Sequence, residues 1–242
     1  MDATPRQFRN RLLAGLSQAQ LALLAPELES VELPVGMALE RPGEPIAQVY
    51  FPSAGLSSVL AVGPDGQRIE AGLFGRDGMT GLSLLLGDDL SPHELVMQIA
   101  GTGHRVEAAT LREAMTRDPA IRDRFLRFVQ AFSVQVAHTT LANGRHTIEA
   151  RLARWLLMSQ DRVEGDILAL THEFLSLMLG VRRAGVTVAV HMLEGRGVIR
   201  ATRGRIRVID RAGLEALAHG IYGVPEAEYA RLLEGTRPER AA

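Results

Sequence analysis

The stretch LMLGVRRAGVTVAVHML, residues 177–193, places a glycine where a helix would stop, then two arginines, then residues that alternate like a β-strand. A strand, a broken helix and two helices meeting at a corner all compete for it. Read as a strand, it puts Arg182 and Val186 on one face and buries nothing consistently. Read as a helix that begins near Arg182, it sets Val186, Val190 and Leu193 at i, i+4 and i+7 on one inward stripe. Gly180 then takes the left-handed conformation that closes one helix and turns the chain into the next. Local propensity opposes this, since Gly185 costs about 1 kcal/mol in a helix interior and Val-Thr-Val-Ala-Val is a mediocre helix sequence. Tertiary packing is expected to override propensity, giving two helices at a corner.

The flanks agree with the corner. In LTHEFLSLMLG, Thr171 is an N-cap, Phe174, Leu175, Met178 and Leu179 share a face, and Gly180 closes the helix. On the second helix Arg183, Thr187 and His191 line the side away from the stripe, with Arg182 at its start. That division suits a helix-turn-helix, in which one face packs and the other enters the major groove. GVIRATRGRIRVID then reads as a hairpin turning at Arg203-Gly204, with Ile206 and Val208 alternating with Arg205 and Arg207. The chain as a whole has a net charge of −1, yet residues 182–211 hold eight arginines against Glu194 and Asp210. A local basic surface of this kind fits a polyanion. Arg203, Arg205 and Arg207 are expected to hold phosphates and set position, and Arg182, Arg183, Thr187 and His191 to read bases. Every basic residue is arginine and none is lysine, a pattern assigned to genomic base composition rather than function.

Upstream, residues 118–142 read as one helix with Asp118 as N-cap and Pro119 in the first turn. Ile121, Phe125, Phe128, Phe132, Gln135 or Val136, and Thr139 recur at steps of four and three. Such a narrow seam is what a two-stranded coiled coil buries, and a dimer is favoured over a helix lying on its own domain. Asn143-Gly144 interrupts the pattern as a hinge. Residues 31–110 are punctuated by Gly36, Pro42-Gly43, Pro52, Gly55, Pro64-Asp65-Gly66, Gly72, Gly75 and Gly78, with short β-type runs between them. QVYFP, LSSVLAV and RIEAGLF at this spacing indicate an antiparallel sandwich or roll, and VGPDGQR a hairpin turn. QAQLALLAPEL is a helical lead-in, and the closing TRPERAA reads as a frayed end.

In this order the chain resembles the Crp/Fnr superfamily of bacterial transcription regulators over roughly residues 16–215. LTHEFLSLMLGVRRAGVTVAVHMLEGRGVIRATRGRIRVID is similar to that family's DNA-binding signature, and ERPGEPIAQVYFPSAGLSSVLAVGPDGQRIEAGLFGRDG to its cyclic-nucleotide-binding fold. The resemblance implies an α+β chain with an N-terminal antiparallel β-roll (jelly roll), a long dimerisation helix and a C-terminal winged helix-turn-helix. The corresponding divisions are a sensor domain over 1–117, the helix over 118–143, the DNA-binding domain over 144–220 and an extension over 221–242. It implies double-stranded DNA and a second copy as partners, with RNA polymerase as a further candidate, and a homodimer reading a pseudo-palindrome. In the catabolite activator of this family the recognition helix reads bases through an Arg-Glu pair and a second Arg one turn on. Arg183 matches the first Arg, whereas Ala184 stands for the Glu and Val188 for the second Arg, so a different operator is expected.

The sensor departs further from its relatives. Nucleotide-binding members carry a Gly-Glu and then an Arg followed by Ser or Thr and Ala, which hold ribose and phosphate; FGRDGMTGLSLLLGDDLSPHELVMQIAG has no such arginine. Cyclic AMP is therefore not the expected effector. Gly75, Arg76, Asp77, Gly78 and Met79, with Val136 on the helix, stand where an effector pocket would lie. Cysteine is absent, which excludes disulfides, thiolate chemistry and cysteine-held iron–sulfur clusters. A haem would need His93, His104 or His138, and a lone histidine is more often structural. No two histidines have metal-ligand spacing on one helix. No Gly-x-Ser-x-Gly, phosphate-binding loop or acid pair supports catalysis, and Asp88-Asp89 reads as a turn. No cofactor is required. The start, MDATPRQFRNRLL, lacks a secretory layout, and no apolar run approaches the roughly 20 residues that span a bilayer, so the cytoplasm is the expected location. The competing expectation is a ligand sensor that acts through a protein partner, its winged helix serving only as a docking surface.

Overall fold

The computed structural model describes residues 8–235, and the fraying expected of TRPERAA falls outside them. Two short helices, α1 (Arg11–Ala14) and α2 (Gln18–Ala22), lead into a roll of seven strands. These are β1 (Glu29–Leu33), β2 (Ala38–Glu40), β3 (Gln48–Pro52), β4 (Leu56–Val62), β5 (Arg68–Phe74), β6 (Glu94–Ile99) and β7 (Gly101–Glu107), with α3 (Leu82–Leu86) between β5 and β6. They form two antiparallel sheets in the orders β1-β7-β3 and β2-β6-β4-β5. The Pro64-Asp65-Gly66 turn joins β4 to β5, with Gly66 at φ +74. Then follow α4 (Ala108–Arg117), α5 (Pro119–Arg145) and α6 (Ile148–Gln160). The C-terminal part holds β8 (Ile167–Leu168), α7 (His172–Leu179), α8 (Arg183–Gly195), β9 (Ile199–Thr202), β10 (Arg205–Val208), α9 (Arg211–Leu217) and α10 (Val224–Tyr229). A π-helical turn, Ala230–Glu234, ends it. This is the expected α+β order of roll, long helix and winged helix-turn-helix.

The long helix differs from expectation in what covers it. Asp118 caps it by accepting from the Ala120 amide at 2.9 Å, and Pro119 opens it. Its seam does not face outward. Ile121, Phe125, Phe128, Phe132 and Gln135 are all buried within the same chain. Phe125 meets Phe51 of β3 at 5.8 Å between ring centroids, and Phe128 and Phe132 meet Phe74 of β5 at 6.3 and 6.5 Å. The Gln135 side chain accepts the Leu73 amide at 2.7 Å. Each buried aromatic is worth about 2 kcal/mol in this setting. The seam lies where its spacing places it, but it closes the chain's own roll instead of a coiled coil.

The hinge moves as well. Gly144 remains helical and α5 runs on to Arg145. The break falls at His146, whose backbone is extended, before Thr147 caps α6 by accepting from the Ala150 amide. Beyond the break the two parts of the chain share one core. Leu56, Leu60 and Leu73 of the roll pack with Trp155, Leu156, Met178, Val186 and Leu193 of the C-terminal part. The extension also folds back: Leu233 joins the roll's core, and the Tyr229 hydroxyl donates to the Asp77 carbonyl at 2.8 Å.

Candidate nucleic-acid interface

Thr171 caps α7, its hydroxyl accepting from the Phe174 amide at 3.2 Å. At the far end Gly180 lies at φ 60 and ψ 37, with its amide donating to the Leu177 carbonyl and the Val181 amide to the Ser176 carbonyl. That pair of bonds is the Schellman closure, and it needs the left-handed residue. A Cβ on Gly180 would also meet Ile69 Cδ1 at 2.8 Å. From α7 to α8 the axis turns by 103°. This lies within the range of a helix-turn-helix corner. The same two helices are apolar enough together to pass as a bent membrane pair, but no single helix among the described residues is long and apolar enough to cross a membrane.

Helix α8 is anchored by Val186, Ala189, Val190 and Leu193, all buried. Ile148 of α6 lies so close that a Cβ on Gly185 would stand 3.2 Å from its Cδ1. The glycine that weakens the helix locally permits this approach, which is how tertiary packing prevails over propensity. The other side of α8 is open: Arg182, Arg183, Ala184, Val188, His191 and Met192 are exposed. Thr187 differs from its expected neighbours. It is half-buried, and its hydroxyl lies 3.0 Å from His172 Nδ1 and 3.2 Å from the Arg183 carbonyl.

The wing is a three-stranded sheet in the order β8-β10-β9. Arg205 pairs with Thr202 and Arg207 with Arg200, around Arg203-Gly204 with Gly204 at φ +72. Ile206 and Val208 are buried while Arg200, Arg203, Arg205 and Arg207 are exposed. Both acids of the segment point to internal work. Glu194 accepts the Ala201 amide at 2.7 Å and so ties α8 to the wing, and Asp210 caps α9 through the Gly213 amide. Arg182, Arg183, Arg203, Arg205 and Arg207 make no ion pair among the described residues. Arg211 is withdrawn, bonded to Asp161 and to the Tyr222 hydroxyl. The result is a basic, uncompensated surface made of a helix and an adjacent hairpin.

Of the residues expected to line an effector pocket, Gly75, Asp77, Gly78 and Met79 are buried and Arg76 is half-buried. Met79 is fully buried in the roll's core and Val136 packs against it. A Cβ on Gly78 would come within 2.6 Å of Phe128 Cζ, so phenylalanine fills that side. Asp77 is committed to Arg162 at 2.8 Å and to the Gly75 amide, and Arg76 donates to the Asp161 carbonyl. Asp77 does border a cavity of about 250 Å³, shared with Arg11, Arg162, Tyr222, Glu226 and Tyr229. His104 stacks edge-on with Phe8, and burial lowers the pKa of both His93 and His104. Among the described residues no three His, Asp or Glu side chains are grouped so as to hold a metal ion.

A feature that sequence reasoning missed lies where the two parts meet. Glu70 of β5 is buried, accepting from Trp155 Nε1 of α6 at 2.7 Å and from the Ser58 hydroxyl of β4. Burial pushes its carboxyl up to about 7, against the lowering effect of Ser58, Trp155, Arg154 and Arg162. Only the strand alternation of RIEAGLF could have hinted that an acid points inward there.

Residues 150–217 match the family described as the Crp-like helix-turn-helix domain. Comparison with curated proteins gives no match. Among solved structures, FixK2 from Bradyrhizobium japonicum superposes with a TM-score of 0.68 at 19% identity, over 78% of this chain and 96% of its own. The c-di-GMP-responsive global regulator CLP from Xanthomonas campestris gives 0.64 at 16%, over 79% of this chain and 99% of its own. A transcriptional regulator of the Crp/Fnr family from Thermus thermophilus gives 0.63 at 20%, over 79% and 99%. At these identities the likeness is one of fold.

Proposed function

We infer that this chain, with a Crp-like helix-turn-helix domain joined to a roll and long helix arranged as in Crp/Fnr regulators, is a sequence-specific DNA-binding transcription regulator. The observation that carries the reading is the exposed, uncompensated arginine surface of α8 and the wing. A recognition helix set at a 103° corner, with a basic hairpin beside it, suits a major groove and its flanking phosphates. Arg183 would read bases, while Arg203, Arg205 and Arg207 would hold the backbone. Thr187, turned toward His172, is better suited to steadying the corner than to reading.

The active form is read as a homodimer on a pseudo-palindrome. Since the seam of α5 is covered by its own roll, the second copy would meet the opposite side, where the exposed Gln130, Ser133, Ala137 and Leu141 recur at steps of three and four. Control by an effector in the roll would change the orientation of the DNA-binding parts about His146–Thr147. That requires the effector to bind one orientation more tightly than the other. RNA polymerase is the protein partner an activator would need.

Selection from random duplexes, followed by titration at several salt concentrations, tests the reading. The expected result is two half-sites ~10 bp apart and an affinity that falls steeply with salt, by roughly 0.9 log units per log unit for each phosphate neutralised. Arg183→Ala should cost about 1–3 kcal/mol and relax preference at one position per half-site, whereas Arg205→Ala should weaken all sequences alike. Binding that ignores both salt and sequence would instead support a sensor acting through a protein partner.

A further inference from the structure

The groove-facing side of α8 is not mainly polar. Opposite the buried stripe of Val186, Ala189, Val190 and Leu193, the exposed positions in steps of four are Ala184, Val188 and Met192. Val188 is 58% exposed and Met192 46%. The fold gains nothing from Val188: it packs in neither core, and a β-branched residue is a poorer helix former than the arginines nearby. Single exposed apolar residues are ordinary. Here, though, they form a row at the centre of the face, bordered by Arg182 and Arg183 at one end and by Arg196 at the other.

We propose that Ala184 and Val188 read thymine C5-methyl groups in the major groove, so that the half-site pairs a guanine met by Arg183 with thymines met by the apolar row. This rests on the DNA-binding reading above and gives it a base preference. The C5-methyl is the apolar feature that distinguishes a base pair in the major groove, and small aliphatic side chains are its usual contacts. The flanking arginines supply the attraction to phosphate that brings the row to that surface, which a protein partner of no stated charge would not need. Spacing sets a further constraint. Four helical residues advance about 6 Å along the axis, near two base-pair steps of ~3.4 Å each. The two methyls therefore lie about two steps apart. Met192 is about 12 Å from Ala184 along the helix, beyond the N-terminal part that contacts bases.

The test uses the full chain and the duplex obtained by selection. Each thymine is replaced singly by deoxyuridine, which removes the methyl and keeps every hydrogen-bonding group. Two thymines per half-site, about two steps apart, should each show a loss of affinity of about fourfold on losing the methyl, as expected for one buried methyl-sized group. In Val188→Ser the loss should vanish at one of these positions and persist at the other, with the salt dependence unchanged. Because Val188 lies outside both cores, the variant should keep the wild-type Tm. Equal binding of thymine and uracil duplexes at every position overturns the proposal and leaves the regulator reading intact. So does a Val188→Ser variant that discriminates as the wild type does, as would follow if a protein covered the row. Failure of the wild-type chain to select any duplex defeats the regulator reading itself.

Discussion

Glu70 shows how one residue can couple two parts of a molecule without being visible in either. Its carboxylate is held by Ser58 from the roll and Trp155 from α6, with Arg154 and Arg162 of α6 and its end as the nearby charges. Burial raises its pKa from the ordinary 4.5 to about 7. The folded chain therefore binds a proton more tightly than the unfolded one. The stability this contributes is fully present below pH 4.5 and is lost as pH rises through about 7. Stability should accordingly fall between pH 5 and pH 8, by on the order of 2 kcal/mol. Glu40, also raised by burial, adds to the slope, and His93 and His104, lowered by burial, oppose it on the acid side. Urea unfolding of wild type and Glu70→Gln across this range separates the Glu70 part, because Gln keeps the shape and cannot titrate. Parallel curves for the two proteins would refute the assignment. The alternation of RIEAGLF sets Glu70 on one face with Gly72 and Phe74, but what covers the acid is a helix some eighty residues away. Ala184 and Val188 stand out in the sequence only as departures from a polar reading pattern, because their exposure in a row follows from the packing of α8.

At the scale of elements, what was legible was local. The caps at Asp118 and Thr171, the glycine closure at Gly180 and the alternation of Ile206 and Val208 each depend on a few neighbouring residues, and each is found as read. The seam of α5 was legible as a stripe, but a stripe does not say what covers it. Phe51 and Phe74 lie far off in sequence, so the choice between own roll and second copy was beyond periodicity. Continuation of α5 through Asn143-Gly144 has the same origin. Gly144 has open space where a Cβ would stand, so tertiary context neither requires the glycine nor breaks the helix there. The Gly180 corner can be tested by comparison with the wing. Gly180 and Gly204 both have positive φ, but a Cβ on Gly180 would also strike Ile69, whereas Gly204 has nothing within 4 Å. Gly204→Ala should cost about 1 kcal/mol through backbone conformation alone. Gly180→Ala should cost more, about 2 kcal/mol, lowering Tm by roughly 4–8 °C at this chain length. Thermal melts of both variants would show the difference, and equal shifts would mean that Ile69 yields freely.

Across the whole molecule, the roll and the helix-turn-helix part are joined by more than the helix that connects them. Leu56, Leu60 and Leu73 are fully buried among residues of α6, α7 and α8, and Arg162 pairs with Asp77 in a setting where both are almost inaccessible. Tyr229 adds its hydrogen bond to the Asp77 carbonyl, and Arg11 meets Glu234 at 3.3 Å across the same junction. An arrangement in which the two parts were independent would leave Leu60, Leu73 and the ion-paired Arg162 exposed on separation. Exposing these leucines costs about 1.5–3 kcal/mol each, whereas the ion pair adds little because both of its charges then reach water. Unfolding should therefore be a single cooperative transition rather than one for each part. Trp155, the one tryptophan of the chain, stands at the junction with its indole bonded to Glu70. Its fluorescence reports separation of the two parts, while far-UV circular dichroism reports loss of helix and sheet throughout. In a urea titration at pH 6 the two signals should give the same midpoint and the same slope. A fluorescence change that precedes the loss of secondary structure would mean that the junction opens while both parts stay folded, and that the shared core contributes far less than its burial implies.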